Sequence, residues 1–307
     1  MTKLLVIGAS GFVGGYLARA LLADGHAVRC LARDPAKVQG LAALGCEIVQ
    51  GDMSDPASLH SALDGIAAVY ICVQTLSAQP ASPAGQGFMA VETTGMQNIV
   101  AACKTHGTRR AIYVTALGMA PDSPSEWVRG RWQIEQSLVN SGLDATVIRP
   151  GMIVGAGGRG FAMTASRARS RLAIVLGNGR TRMRHVAIGD LVYYLIGVLG
   201  EPRTYGQCYD VGGDELYSGD RLIDIVADVL GRPHPAKLHI PLSLLGALAP
   251  LIERLTKVAS KGAIKGIADG LNVEGIGDPL PIRAVLPRPP LDFRRAARTA
   301  LNIQPKE

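Results

Sequence analysis

The chain has 307 residues, with 32 Lys and Arg against 25 Asp and Glu for a net charge of +7, and 48% of its residues are apolar but only 5% aromatic. That length suits one large α/β unit with a smaller appended lobe, the Ala, Val, Leu, Ile and Gly content suits buried parallel strands, and no run reaches the roughly 20 apolar residues of a membrane span. Five cysteines (Cys30, Cys46, Cys72, Cys103, Cys208) lack disulfide or metal-ligand spacing, and dispersed arginines without interleaved aromatics argue against nucleic-acid binding.

The opening MTKLLVIGAS reads as a first strand and not as a cleaved signal, so a cytoplasmic location with reduced thiols is expected. Strand and helix patterns then alternate: Leu4 to Ile7, a helix to about Ala23, Ala27 to Leu31, a helix from Pro35 to Leu44, Glu47 to Val49, and a helix from Pro56 to Leu63. Ala68 to Val73, a long helix from Gly87 to Thr105, Ala111 to Thr115, a helix from Trp127 to Asn140, and Ala145 to Ile148 continue the rhythm. Repeated βαβ units imply parallel strands joined by right-handed crossovers. Pro35 and Pro56 each follow an Asp, as the first helical residue after a capping side chain should.

Past Arg149, Pro150 and Gly151 the alternation fades into a glycine- and arginine-rich stretch that reads as a loop-rich cover. A helix from Ile188 to Leu199, a strand from Gln207 to Val211 and a helix from Gly219 to Leu230 follow. The apolar segment from Ile240 to Lys257, followed by Lys261 and Lys265, leaves three roles open: packing on a lobe, contact with a partner, or lying on a membrane surface. The Pro- and Arg-rich tail is expected to wrap the surface.

Chemistry enters at GASGFVGG, where Gly8, Gly11 and Gly14 directly follow a strand and open a helix. Gly8 permits the tight turn, Gly11 a close backbone approach to a pyrophosphate, and Gly14 close packing of helix on sheet. Ser10, Phe12 and Val13 complete a phosphate loop at the helix N-terminus. The reading is a doubly wound Rossmann α/β fold, a parallel sheet with helices on both faces. Residues 1–151 form its NAD(P)-binding domain, and residues 152–307 a smaller substrate or partner lobe interleaved with the sheet. At the end of the second strand, where NAD enzymes carry a carboxylate for the ribose, the chain has Arg33, whose guanidinium suits the 2′-phosphate of NADP(H). NAD(H) stays open as the alternative, through Asp34 or with Arg33 as a solvated charge.

The GxxGxxG spacing, GDMSDPASL, TGMQNIVAACKTHGTRRAIYVTALG and SGLDATVIRPGMIVG together resemble the extended and atypical short-chain dehydrogenase/reductases. They are most similar to NmrA-like and complex I 39 kDa subunit-like members. The resemblance implies adenine contacts at Asp52 and Met53 and cofactor contacts at Thr115, Arg131 and Pro150. It also implies a catalytic Tyr-x-x-x-Lys pair, and here the chain departs, because Trp127 and Arg131 occupy those positions. An indole does not titrate and a guanidinium is no proton source near neutral pH. Thr115 and Arg131 remain as catalytic candidates, with His185 as a replacement acid and Asp190 as a helix cap. Arg180, Arg182 and Arg184 are candidates for an anionic substrate. Three readings stay open: a reductase using another acid or water, an epimerase-like enzyme with a shifted base, or a non-catalytic dinucleotide-binding sensor or assembly protein.

Overall fold

The computed structural model describes residues 2–73, 88–244, 247 and 273–303. The first half runs β1 (Lys3–Ile7), α1 (Phe12–Ala23), β2 (Ala27–Ala32), α2 (Gln39–Ala42), β3 (Glu47–Gln50), α3 (Pro56–Leu63), β4 (Ala68–Ile71), α4 (Phe88–His106), β5 (Arg110–Val114), α5 (Glu126–Val139) and β6 (Asp144–Pro150). The second half runs β7 (Met152–Val154), α6 (Arg159–Arg169), β8 (Leu172–Leu176), β9 (Arg182–Met183), β10 (His185–Ala187), α7 (Ile188–Gly197), β11 (Gln207–Val211), β12 (Tyr217–Ser218), α8 (Gly219–Val229), β13 (Ala236–Ile240), α9 (Leu280–Val285) and α10 (Phe293–Ala300).

Seven strands form one sheet in the order β11-β6-β5-β4-β1-β2-β3, and every pair in it is parallel. Because successive side chains point to opposite faces, Leu4, Val6, Tyr70 and Ile112 pack with Leu17 of α1 and Leu191 of α7. Leu5, Ile7, Val69 and Ile71 pack on the other face with Leu59 of α3, Ile99 of α4 and Ile134 of α5. The chain leaves β1 toward β2 and β3, then returns to β4 on β1's other side, so a crevice opens outside the carboxyl ends of β1 and β4.

Asp34 and Asp55 cap as expected, accepting from the amides of Ala36 at 3.1 Å and Ala57 at 3.0 Å. The helix expected from Pro35 to Leu44 is instead a 3₁₀ turn (Pro35–Val38) and the short α2. Only Val38 and Leu41 of these find core to pack on, and their spacing of three suits the tighter turn.

The expected loop-rich cover contains α6, whose buried Phe161, Thr164, Ala165 and Ala168 recur at helical spacing beneath an arginine surface. The expected surface tail is likewise corrected, since Phe293, Ala296 and Ala297 of α10 join Phe161 and Ile223 in a separate core. Asp190 is not the expected cap. It lies buried in the first turn of α7, where it accepts from Arg288 Nε at 2.7 Å and the Leu291 amide at 2.9 Å, anchoring the segment before α10. Most of the apolar stretch between 240 and 257, with Lys257, Lys261 and Lys265, lies outside the described residues.

Arg110 ties the sheet to α7. Its buried guanidinium donates to the carbonyls of Leu199 at 2.9 Å, Asp144 at 2.5 Å and Val198 at 2.5 Å, and stacks 4.5 Å from the centroid of the Tyr205 ring. Arg110→Ala is expected to strand those carbonyls and to lower stability by about 2–3 kcal/mol, read as a fall in urea midpoint at unchanged slope.

Candidate functional site

Gly8 turns the chain out of β1 at φ +92°. A Cβ on Gly8 would stand 2.7 Å from the Cys72 carbonyl oxygen beyond β4, and one on Gly14 would stand 2.3 Å from the Gly8 carbonyl oxygen. A Cβ on Gly11 would meet only the Gly8 carbonyl oxygen, at 3.2 Å, so the outer side of the loop stays open. Gly11 is the N-cap of α1 and supplies no side-chain cap, which leaves the first-turn amides at Phe12 and Val13 directed at the crevice. An open loop, uncapped amides and a helix dipole suit a pyrophosphate. Phe12 stacks edge-on with Tyr16 at 5.3 Å, and the Tyr16 hydroxyl donates to the Ala156 carbonyl at 3.1 Å, which holds the second glycine-rich loop against the first.

Arg33 follows β2 and Asp52 follows β3, so both reach the same edge of the sheet as the glycine loop. Arg33 Nε is 3.7 Å from Asp52 Oδ2, and the guanidinium is exposed. Asp52 Oδ1 accepts from the Ser54 amide at 2.8 Å and hydroxyl at 2.7 Å, which fixes this turn. The Met53 side chain is buried over Gly95 of α4, and its carbonyl accepts from Asn98 Nδ2 at 3.2 Å. Pro150, also buried, gives its carbonyl to the Leu117 amide at 3.0 Å.

Trp127, Arg131 and Glu135 are spaced by four along α5 and share one face. Arg131 is fully buried, donates from Nη2 to Glu92 Oε1 at 2.7 Å, and lies 4.7 Å from the Trp127 ring centroid. Its Nε and Nη1, and the Trp127 indole nitrogen, are buried with no hydrogen-bond partner among the described residues. Thr115, also sealed, donates from its hydroxyl to Glu135 Oε1 at 2.5 Å, while Arg149 Nε donates to Glu135 Oε2 at 2.9 Å. Burial pushes the Glu135 carboxyl upward against the pull of Arg149. Burial also raises the phenol of Tyr113, which makes it a poor proton donor.

Glu92, Glu135 and Arg149 were not among the expected site residues. The spacing of Glu135 from Arg131 was a usable signal, whereas Glu92 sits 39 positions before Arg131 and carried none. A hollow of about 260 Å³ between α4 and α5 is lined by Met89, Thr93, Glu126 and Arg129, and by none of the expected site residues.

His185 is 1% exposed, with Nε2 3.2 Å from the Leu291 carbonyl oxygen and Phe293 packed edge-on at 5.2 Å. It faces core, not a cleft, and we assign it a packing role in place of the expected acid. Two of the three expected anion-binding arginines are engaged internally. Arg182 forks onto Glu274 at 2.8 and 3.0 Å, and Arg184 donates to the carbonyls of Gly213, Asp214 and Ile276. Arg180 lies exposed before β9.

Burial lowers the His185 pKa from its ordinary 6.5, so below that pH the unfolded chain takes up a proton that the fold resists. The stability contributed by neutral His185 is therefore present above pH 6.5 and is lost as pH falls below it. His185→Gln is expected to flatten the fall in melting temperature below that pH, measured by calorimetry; an unchanged slope would reject the assignment.

Residues 8–172, more than half of the chain, match the NAD(P)H-binding family. The NAD(P)H azoreductase of Xenophilus azovorans is 26% identical over 232 residues, covering 75% of this chain and 74% of that protein. Photosystem II assembly factor Ycf39 of Cyanophora paradoxa is 32% identical over 147 residues, 48% of this chain and 44% of its own. The structure of the NADPH-dependent quinone oxidoreductase of Escherichia coli complexed with NADPH has the same fold, with a TM-score of 0.73 at 20% identity over 98% of this chain and 99% of that one. The parallel sheet, the open glycine loop at its crossover and these likenesses agree: the chain belongs to the NAD(P)H-binding family, among the atypical, NmrA-like short-chain dehydrogenase/reductases.

Proposed function

We propose that this protein is an NADPH-preferring oxidoreductase that delivers hydride to a quinone-like or enone acceptor without a titrating side-chain acid. The observation that carries this reading is the face of α5. Arg131 is fully buried with Nε and Nη1 left without hydrogen-bond partners among the described residues, which is costly, and the resemblance puts Arg131 and Trp127 at the positions of the family's catalytic pair. Those donors fit the hydroxyls and amide of a nicotinamide riboside. The bound cofactor supplies the hydride.

The chain's own residues divide the remaining work. The amides at the start of α1 bind the pyrophosphate, Arg33 pairs with a 2′-phosphate, and Arg131, steadied by Glu92, orients the nicotinamide end. Neither Trp127 nor Arg131 gives up a proton near neutral pH, which bears on the acceptor. A simple carbonyl becomes a strongly basic alkoxide and needs an acid, whereas a quinone or enone becomes a phenolate- or enolate-type anion that takes its proton from water. A non-catalytic sensor or assembly protein is the second reading, favoured by the seal over Thr115 and the missing Tyr/Lys pair.

Calorimetric titration is expected to show NADPH binding at least about tenfold tighter than NADH, with Arg33→Ala closing the gap; equal affinities in the parent chain would overturn the preference. Arg131→Met strands Glu92, so Arg131→Met with Glu92→Gln is the cleaner variant. It is expected to keep the parent melting temperature but lose affinity for NADPH. With quinone, enone and azo acceptors, deuterium at the transferred position of NADPH is expected to slow single-turnover oxidation. Tight binding with no oxidation by any acceptor would favour the sensor.

A further inference from the structure

β8 and β13 form a two-stranded parallel ribbon in which Leu172 faces Ala236, Ile174 faces Leu238 and Leu176 faces Ile240. Alternation sends the intervening residues inward, where Ala173 and Val175 are buried, Lys237 Nζ pairs with Asp224 Oδ1 at 2.6 Å, and His239 Nε2 with Asp220 Oδ2 at 2.9 Å, both carboxylates on α8. The outward face is therefore built from six apolar side chains. Leu172 is 53% exposed, Ile174 52% and Leu238 51%, with Leu244 at 51% just past β13. These are four of the seven large apolar side chains that are strongly exposed among the described residues, so the exposure is concentrated here. Such a ribbon is marginal in water unless a second surface covers it.

Charge says what that surface is. Arg169 and Arg171, both exposed, lead into β8, and Arg232 leads into β13 with Nη1 donating to the Arg169 carbonyl at 3.0 Å. Residues 145–189 contain eight arginines and no Asp or Glu, and residues 229–252 contain no Asp or Glu. The carboxylates touching the ribbon lie on its inner side, already paired. An apolar face rimmed by arginines fits an anionic lipid surface, which offers apolar depth and phosphate charge together.

We propose that the outward face of the β8/β13 ribbon docks this protein peripherally on anionic lipid, with Leu172, Ile174 and Leu238 entering the interface and Arg169, Arg171 and Arg232 meeting the headgroups. No described helix is long and apolar enough to cross a membrane, so the contact is superficial.

The test is co-sedimentation of the full chain with vesicles of phosphatidylcholine and phosphatidylglycerol in equal parts, without cofactor, so that its outcome is independent of hydride transfer. Binding is expected on mixed vesicles, weakened by salt, and not on phosphatidylcholine alone. Arg169→Gln with Arg171→Gln is expected to lower the partition coefficient about tenfold or more, as is Ile174→Asn with Leu238→Asn, while NADPH binding by both variants confirms their folding. Leu238→Trp should shift its emission to the blue on mixed vesicles. No binding to mixed vesicles, or binding that the variants leave unchanged, overturns the proposal. So does a dimer in solution that Ile174→Asn converts to monomer, which would make the face a contact between copies of this chain.

Discussion

The fit of α1 against β1 is the contact on which the rest depends. With the Gly8 carbonyl oxygen only 2.3 Å from where a Gly14 side chain would begin, any larger residue would lift the helix off the sheet. That close seat puts the first amides of α1 at the crevice beside β4, where the strand order reverses. The parallel arrangement then gathers distant residues. Arg33, Asp52, Thr115 and Pro150 follow or end four different strands, yet reach one edge because every strand of the sheet points the same way.

The second organising feature is the ionic face of α5. One helix presents Arg131 to Glu92 on α4 and Glu135 to Thr115 and Arg149 at the ends of the central strands. Burying these charges is tolerable only with their partners in place, so the arrangement is stiff. That stiffness suits a site that must hold a flexible cofactor in one pose. On the same face Trp127 covers Arg131 with its ring and packs against it.

The C-terminal half follows different rules. It contributes β11 to the main sheet, but among the described residues β7 pairs with β10, β9 with β12 and β8 with β13, and α6, α8 and α10 close a separate core around Phe161, Ile223 and Phe293. The Asp190 carboxylate, holding Arg288 and Leu291, clips the chain's last part to α7 beside the main sheet.

Local signals were enough for the sheet, the capped turns at Asp34 and Asp55, the glycine loop and the basic residue at Arg33. Each is decided by backbone conformation or by the nearest few side chains, and such terms act the same in any context. Tertiary structure alone decided that Glu92 is the counterion of Arg131, that His185 and Met53 turn into core, and which core the apolar stripes of α6 and α10 join beneath their arginines. It also decided that Asp190 anchors the tail rather than caps a helix. Those outcomes depend on which distant surface comes to rest against a residue, and no spacing along the chain encodes that contact.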